Sequence, residues 1–284
     1  TDASLTGWTE GDGVFIDSDG VQVVDNYVYN VEGSGISGTS VGAYVADNRI
    51  YHSQMGIVLS GSDWLVERNE VERLFGYGNG DSDYSRFFGD NHVIRNNFFH
   101  GTNFDEIGAA HVDCFQIFDN NGESAHHVLF DGNVCYDFHQ GFMGEAAFHH
   151  NISDLTFSNN IFAHGGAWGL SVHQITNVIV VHNVFADIQY HGAGFRDGAT
   201  GVVNNNIFYN AGSNYWAADG GSVVGSDNLL YATGETIDPA DFPNDLVNVD
   251  PLFLNPGADD YHIAANSPAI DVGLFVGAGA DREG

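Results

Sequence analysis

An asparagine followed by two residues, the second always apolar, recurs through most of this 284-residue chain. Successive copies lie 22, 21, 28, 36, 27, 23, 23 and 22 residues apart, at Asn26, Asn48, Asn69, Asn97, Asn133, Asn160, Asn183, Asn206 and Asn228. A recurring spacing of this size is typical of a solenoid, because one repeat cannot bury its apolar face alone and stacking builds a continuous core.

One repeat is clearest over Asp154–Thr176, where an apolar strand ends at Asn160 and a glycine-rich corner leads to a second strand at Gly169–His173. The chain has 37 glycines and 5 prolines, and no helix-length stretch has amphipathic spacing free of glycine. Stacked parallel strands about 4.8 Å apart would place like residues on like. We therefore predict an all-β, single-domain, right-handed parallel β-helix of about nine to ten rungs. Each repeated asparagine should lie at a corner, adopt a left-handed turn, and bond backbone or the next asparagine.

Departures from the period predict the domain organisation. Residues 1–20 form a cap or an incomplete first rung, residues 21–235 the β-helix, and residues 236–284 a C-terminal rung and tail. The longest rung carries insertions at Thr102–Ala110 and Asn120–His126. Cys114 and Cys135 lie 21 residues apart, about one rung, and strand alternation predicts that they face different ways and remain unbridged.

The net charge is −31, from 38 acidic residues against 7 arginines and no lysine. A nucleic-acid partner is not expected, because phosphate binding needs a basic face. A membrane partner is not expected either, since no apolar run reaches the length of a spanning helix. The acidity suits a saline or calcium-rich exterior, and the protein is expected to be a monomer.

The asparagine rungs over Val21–Leu230 and the tail DPLFLNPGADDYHIAANSPAIDVG at Asp250–Gly273 resemble the pectate-lyase-like superfamily of secreted β-helix proteins. The resemblance implies a secreted or extracellular protein that acts on or binds a polysaccharide. The superfamily includes lyases, hydrolases, epimerases, tailspikes and plain binding proteins, so the resemblance leaves the chemistry open.

Aligning the second strands on their glycine-apolar start predicts where side chains meet. The inward residues are then Phe115, Phe142, Leu170 and Phe195. Two outward rows follow, one of Gln116, Met143, Ser171 and Arg196, the other of Phe118, Glu145, His173 and Gly198. The patch Gln116, Glu145, His173 and Arg196 lies beside the long insertions, which would wall a groove. His139, Trp168, Tyr190, His191 and Asp197 are predicted to line the same groove as substrate-binding residues.

Three functions fit this patch. The favoured one is a polysaccharide lyase that cleaves a uronic-acid polymer by β-elimination, with His173 or His111 as base, Arg196 on the carboxylate and Glu145 as orienting group. Calcium held by Asp105, Glu106 and Asp113 would offset repulsion between an acidic protein and an anionic polymer, and no organic cofactor is expected. His111 and Asp113 belong to the segment HVDCFQ, in which Asp113 is a base or cation ligand, or else only caps the strand corner.

The second function is glycoside hydrolysis by paired carboxylates. Glu145 and Asp197 would lie two rungs apart, roughly 9–10 Å, at the upper edge of the inverting geometry, and Asp113 could replace either. The third is a non-catalytic binding or tailspike-like module that stacks sugars on aromatic residues. Those aromatic residues are Tyr77, Tyr84, Phe87, Trp168, Tyr190, Tyr215 and Trp216.

Overall fold

A computed structural model describes residues 11–76, 81–231, 234 and 237–273. Its strands, in chain order, are β1 Val14–Ile16, β2 Gln22–Val24, β3 Tyr27–Val41, β4 Tyr44–Ala46, β5 Arg49–Ser62, β6 Leu65–Glu67, β7 Glu70–Glu72, β8 Ser85–Phe87, β9 Val93–Arg95, β10 Phe98–His100, β11 Asp113–Phe118, β12 Ala125–Asp131, β13 Val134–Glu145, β14 Ile152–Ser158, β15 Ile161–His173, β16 Val178–Val181, β17 Val184–Ile188, β18 His191–Arg196, β19 Thr200–Asn204, β20 Ile207–Tyr209, β21 Ser213–Ala217, β22 Ser222–Ser226, β23 Leu229–Tyr231, β24 Leu246–Val247, β25 Phe253–Asn255 and β26 Asp260–Ile263. A one-turn helix, α1, spans Phe104–Ile107, and a 3₁₀ turn spans Pro256–Ala258.

The chain is a parallel β-helix of about nine turns, so the predicted fold is confirmed. A 15-stranded sheet, the long sheet, contains the strands that follow each repeated asparagine and the strands after the glycine corner. A 9-stranded sheet, the short sheet, contains the strands that precede each asparagine. Every strand pair in these two sheets is parallel, which places equivalent residues of successive rungs above one another.

The repeated asparagines form a continuous hydrogen-bonded ladder. In one step, Asn160 donates from both its backbone N–H and its side-chain Nδ2 to Asn183 Oδ1, each at 2.9 Å, and Nδ2 also donates to Phe130 O at 3.0 Å. The ladder runs from Asn26 to Asn228 and ends on Asp245, whose Oδ1 accepts from the Asn228 N–H at 2.9 Å. Most of these asparagines are fully buried, so each bond satisfies polar groups that water does not reach.

The left-handed turn at this corner falls one residue earlier than the sequence predicted. The residues in front of the asparagines have φ between 53° and 64°, and they are Asp25, Asp47, Arg68, Asn96, Gly132, Asn159, His182, Asn205 and Asp227. The ladder asparagines themselves are not left-handed, because their backbone N–H must point along the ladder.

The core contains stacked aromatic rings. Phe162, Phe185 and Phe208 occupy equivalent positions on three rungs, with ring centroids 5.4 and 5.0 Å apart and planes within 10° of parallel. Cys114 and Cys135 are also fully buried, and they form a disulfide across a Cα–Cα distance of 6.3 Å. The prediction that they stay unbridged was wrong, because both side chains lie in the same hydrophobic core rather than on different faces.

The ends of the solenoid extend the regular rungs. β1 pairs with β3, so residues from Val14 onward already belong to the long sheet. At the other end β24 pairs with β23, and the antiparallel hairpin of β25 and β26 then packs Tyr261 near Ala163 and Ala186. The insertion with α1 is tied to the solenoid by Arg73, which donates to both carboxylate oxygens of Glu106 at 2.9 and 2.6 Å.

Candidate active site

Three rows of side chains cross the outer face of the long sheet, each drawn from successive rungs. The acid row is Asp83, Asp113, Gln140 and Trp168. The middle row is Arg86, Gln116, Met143, Ser171, Gly194 and Trp216. The outer row is Phe118, Glu145, His173 and Arg196.

The predicted register is correct for three rungs and wrong for the fourth. Leu170 pairs with Ala193 rather than with Phe195, so Arg196 lies beside His173 in the outer row and not in the row of Gln116. The corner glycine of this rung is Gly192, since a Cβ there would meet the Phe208 ring and the Asn214 carbonyl oxygen. The shift brings Glu145, His173 and Arg196 onto neighbouring rungs at one register position.

The acid row contains two buried carboxylates on adjacent rungs. Ser85 and Phe115 pair in register, and Asp83 and Asp113 each lie two residues before them, so the two aspartates are neighbours across the strands. Both are 0% exposed. They are linked through the main chain, because the Asp113 N–H donates to Asp83 Oδ1 at 3.2 Å. Parallel strands are about 4.8 Å apart, so the two carboxyl groups are close neighbours.

Each carboxylate has one polar side-chain partner in the middle row. Arg86 donates from Nε and Nη2 to Asp83 Oδ2, at 3.1 and 2.5 Å. Gln116 Nε2 donates to Asp113 Oδ2 at 3.3 Å. Asp83 therefore contacts a permanent positive charge, whereas the middle-row partner of Asp113 is a neutral amide.

These surroundings raise both pKa values. Burial raises the pKa of Asp83 to about 7, against the opposing charge of Arg86. Burial, and then the negative charges of Asp83 and Asp81, hold the pKa of Asp113 well above its usual range. Two neighbouring carboxyl groups with raised pKa values, only one of which contacts an arginine, are an arrangement suited to sharing proton donor and carboxylate roles.

Three acceptor oxygens beside the pair have no hydrogen-bond partner among the residues described: Asp113 Oδ1, Gln116 Oε1 and Gln140 Oε1. Gln116 and Gln140 are 9% and 8% exposed, so these oxygens are shielded from water as well. Buried unpaired acceptors are costly, and they mark a place that a donor-rich ligand such as a sugar hydroxyl would satisfy.

The two predicted histidines of this region lie at its edge. The Val112 N–H donates to His139 Nδ1 at 3.0 Å, and the His139 ring packs against His111 and Phe104 with centroids 5.7 and 4.8 Å away. Burial, followed by the charge of His111, lowers the pKa of His139. His139 is thus fixed by a main-chain bond to Nδ1 and covered by Phe104 from the insertion that carries α1.

His173, in the outer row, belongs to a second polar group that includes Asp197 from the next rung. His173 is hydrogen-bonded on both ring nitrogens, with Nε2 2.9 Å from Ser171 Oγ and Nδ1 2.8 Å from Asp197 Oδ2. Glu145 pairs in register with His173 but is exposed. Glu145 and His173 are therefore neighbours in register, as predicted, but the carboxylate that bonds the imidazole is that of Asp197.

Aromatic side chains follow along the same face. The His191 ring lies 6.4 Å from Trp168 and 4.8 Å from Trp216. Tyr190, next to His191, is 49% exposed. Of the other predicted sugar-stacking residues, Tyr84, Phe87 and Tyr215 are buried in the core, and Tyr77 lies outside the described residues.

The residues proposed to hold calcium are not gathered at one point. Glu106 is neutralised by Arg73, Asp105 lies in the first turn of α1, and Asp113 belongs to the buried pair. Among the described residues, one set of three potential ligands has its donor atoms within 4.8 Å of one another, namely Glu70, Glu72 and His100. Arg49 already contacts both glutamates of that set. The predicted calcium ligand set therefore does not fit this structure.

Sequence reasoning did not identify Asp83, Arg86 and Ser171 as site residues. Asp83 precedes the strand β8 and Arg86 lies within it, and this short strand follows directly on the irregular polar segment Gly76–Ser85. Ser171 was placed in the correct row but given no role. The spacing of Ser171 and His173, two residues apart on one strand face, was the available signal.

The fold and the three rows define a β-helix protein with a polar face on its long sheet. No protein-family model matches the chain, and no curated protein matches it. Similar solved structures include a tailspike mutant of E. coli bacteriophage HK620 in complex with a hexasaccharide, with TM-score 0.47 and 14% identity over 76% of this chain and 45% of that one. A second is the catalytic unit of a GH87 α-1,3-glucanase from Streptomyces thermodiastaticus, with TM-score 0.44 and 13% identity over 85% of this chain and 61% of that one. A third is PfbA, a surface adhesin of Streptococcus pneumoniae, with TM-score 0.35 and 13% identity over 81% of this chain and 62% of that one.

This chain thus spans less than two thirds of the length of each of these three structures. They are similar to it in fold, and the resemblance to the pectate-lyase-like superfamily stays a prediction. No helix in the described residues has the length and apolar character needed to cross a membrane.

Proposed function

We propose that this protein degrades a polysaccharide outside the cell, and that it does so by hydrolysing glycosidic bonds with Asp113 and Asp83. The observation that carries the proposal is the buried carboxylate pair on adjacent rungs, one member beside Arg86 and the other beside a neutral amide. The polar acceptors around the pair suit a ligand rich in hydroxyl donors.

The roles follow from the environments of the two groups. Burial raises the pKa of Asp113 well above its usual range, which suits this group to act as the general acid for the leaving oxygen. Asp83 is kept partly ionised by Arg86 and attacks the anomeric carbon or stabilises the cation that forms there. Retaining glycosidases have carboxyl groups about 5–5.5 Å apart, close to the strand spacing that separates this pair, so retention of configuration is expected.

A sugar has to displace a covering layer to reach the pair, because Gln116 and Gln140 are nearly buried themselves. Trp168 continues the acid row on the next rung, where its indole could stack against a neighbouring sugar ring. The substrate is therefore expected to be a chain of sugars lying along the solenoid axis.

β-Elimination on a uronic-acid polymer is the second candidate, favoured by the outer row that places His173 between Glu145 and Arg196. It ranks below hydrolysis because both ring nitrogens of His173 already have partners, which leaves neither directed at a substrate proton. The disulfide between Cys114 and Cys135 supports an extracellular location, since such bonds persist in oxidising compartments.

The test is to incubate the protein with neutral and uronate-containing polysaccharides while following both new reducing ends and absorbance near 235 nm. Hydrolysis gives reducing ends without absorbance, and Asp113→Asn and Asp83→Asn should each slow it by about 100-fold or more. Asp105→Asn, an exposed carboxylate on α1, is the matched control and should retain the parent rate.

Reducing ends formed equally fast by both acid-row variants would overturn the assignment of the pair. A rise at 235 nm that disappears in His173→Ala would instead establish elimination.

A further inference from the structure

We propose that Ser171, His173 and Asp197 form a separate catalytic centre that hydrolyses carboxylic esters, with acetylated sugars as the class of substrate. Ser171 Oγ lies 2.9 Å from His173 Nε2, and His173 Nδ1 lies 2.8 Å from Asp197 Oδ2. One ring nitrogen thus faces a hydroxyl and the other faces a carboxylate, which is the arrangement that activates a serine nucleophile.

The solenoid explains why these three side chains meet. Ser171 and His173 are two residues apart on β15, so they project from the same face of the sheet. On the next rung Arg196 pairs in register with His173, and Asp197 follows in a left-handed turn with φ 55°. That turn ends β18 and places the Asp197 carboxylate beside the imidazole.

Two unpaired N–H donors lie next to the triad. Arg196 Nε and Trp216 Nε1 are buried and have no hydrogen-bond partner in the described part of the chain. Gly194 is the strand neighbour of both Ser171 and Trp216, and a Cβ at Gly194 would lie 3.3 Å from Trp216 Nε1. The missing side chain lets the indole approach the rung of Ser171.

Leaving two buried donors unpaired is costly, because each has given up its hydrogen bond to water without gaining another. An oxyanion that forms on an ester bound at Ser171 would give both donors an acceptor, which is the role of an oxyanion hole. The arginine side chain also contributes positive charge, and it lies over the Trp216 ring at 5.5 Å from the centroid.

The reaction balances with water as the only co-reactant. Ser171 Oγ bonds to the ester carbonyl carbon as its proton moves to His173 Nε2. The carbon–oxygen bond to the sugar then breaks, and His173 returns the proton to the departing sugar oxygen. Water, deprotonated by His173, then bonds to the acyl carbon. The bond from that carbon to Ser171 Oγ breaks, His173 returns the proton to Oγ, and the carboxylic acid leaves. Asp197 keeps the imidazole oriented throughout and is a positioning residue.

The depth of Ser171 limits the acyl group. Ser171 is only 2% exposed, whereas the side chains of His173 and Asp197 are 15% and 43% exposed. A small acyl group such as acetyl reaches so recessed a hydroxyl more easily than a long one. The identification of the alcohol as a sugar rests on the proposed function, but ester hydrolysis itself does not.

The test uses two probes on the full chain: p-nitrophenyl acetate as ester, and a fluorophosphonate that labels activated serines, with the labelled peptide located by mass spectrometry. Label should appear on Ser171, and Ser171→Ala and His173→Ala should slow acetate release by about 100-fold or more. Asp197→Asn should slow labelling and change its pH profile while thermal unfolding stays as in the parent.

Ser213→Ala is the matched control, because Ser213 Oγ also contacts a histidine, lying 2.5 Å from His191 Nδ1. It should leave ester hydrolysis and labelling unchanged. Because p-nitrophenyl acetate has no glycosidic bond, this test is independent of the carboxylate pair. No label on Ser171 in the parent protein would overturn the proposal even if the serine variant failed to fold. So would equal ester hydrolysis by the parent and a folded Ser171→Ala.

Discussion

Replacing Asp83 with asparagine should change how the stability of the protein depends on pH. Burial raises the pKa of Asp83 from 3.8 to about 7 in the folded chain. The folded state therefore binds a proton that the unfolded state releases between about pH 4 and pH 7, and the free energy of unfolding falls as pH rises through this window.

The size of the effect follows from the pKa difference. A shift of about three units corresponds to about 4 kcal/mol across the whole window, at about 1.4 kcal/mol per pH unit. Between pH 5 and pH 8, Asp83 should account for a loss of about 2–3 kcal/mol. Asp83→Asn removes this loss, and it also removes a negative charge that helps to raise the pKa of Asp113.

The assay is urea unfolding at constant ionic strength at pH 5, 6, 7 and 8. The variant also leaves Arg86 without its closest partner, but that cost is present at every pH, so the slope is the informative quantity. Asp119→Asn is the control. Burial raises the pKa of Asp119, but hydrogen bonds from the backbone N–H groups of Phe148, His149 and His150 outweigh this effect and lower it. Its loss should therefore be a constant offset over this range. Parallel curves for the parent and Asp83→Asn would refute the reasoning.

Two further predictions concern the solenoid itself. Asn160→Ala removes the acceptor of the Asn133 N–H and Nδ2 and the donor to Phe130 O, so the free energy of unfolding should fall by about 3 kcal/mol or more. Asn26→Ala, at the exposed end of the ladder, should lower it by less than about 1 kcal/mol. Equal urea midpoints for the two variants would contradict the ladder's role. The disulfide between Cys114 and Cys135 joins residues 21 apart in sequence, and its reduction should lower the free energy of unfolding by about 3 kcal/mol. The Cys114→Ala/Cys135→Ala protein should show no response to reductant. Two free thiols in the oxidised, denatured parent would exclude the bond.

The fold could be predicted because the asparagines report a fixed corner of every rung. Their amides must be buried and bonded to one another, so their spacing reveals the rungs even where insertions lengthen them. The left-handed residue could also have been placed correctly, since the residue before each asparagine is usually aspartate, asparagine, histidine or glycine, which tolerate that conformation.

The site was harder to predict because it depends on contacts between rungs. Both Gly192 and Gly194 fit a corner glycine, and only the packing of Gly192 against Phe208 decides between them. Asp83 precedes a three-residue strand after an irregular segment, so its alignment with Asp113 has no periodic signal. Asp197 reaches His173 through a turn whose position follows from the register that the sequence misassigned.

The asparagine ladder also has a direction. From Asn26 to Asn206, each side-chain amide donates to the side-chain oxygen of the next asparagine toward the C-terminal end, so the asparagine-to-asparagine bonds all point the same way. Asp245 ends the column, since a carboxylate accepts but has no proton to pass on. A duplicated rung that brings its own asparagine can therefore be inserted anywhere inside the column, while one added beyond Asp245 would place acceptor against acceptor. Solenoids of this kind can lengthen by internal duplication without remaking their ends.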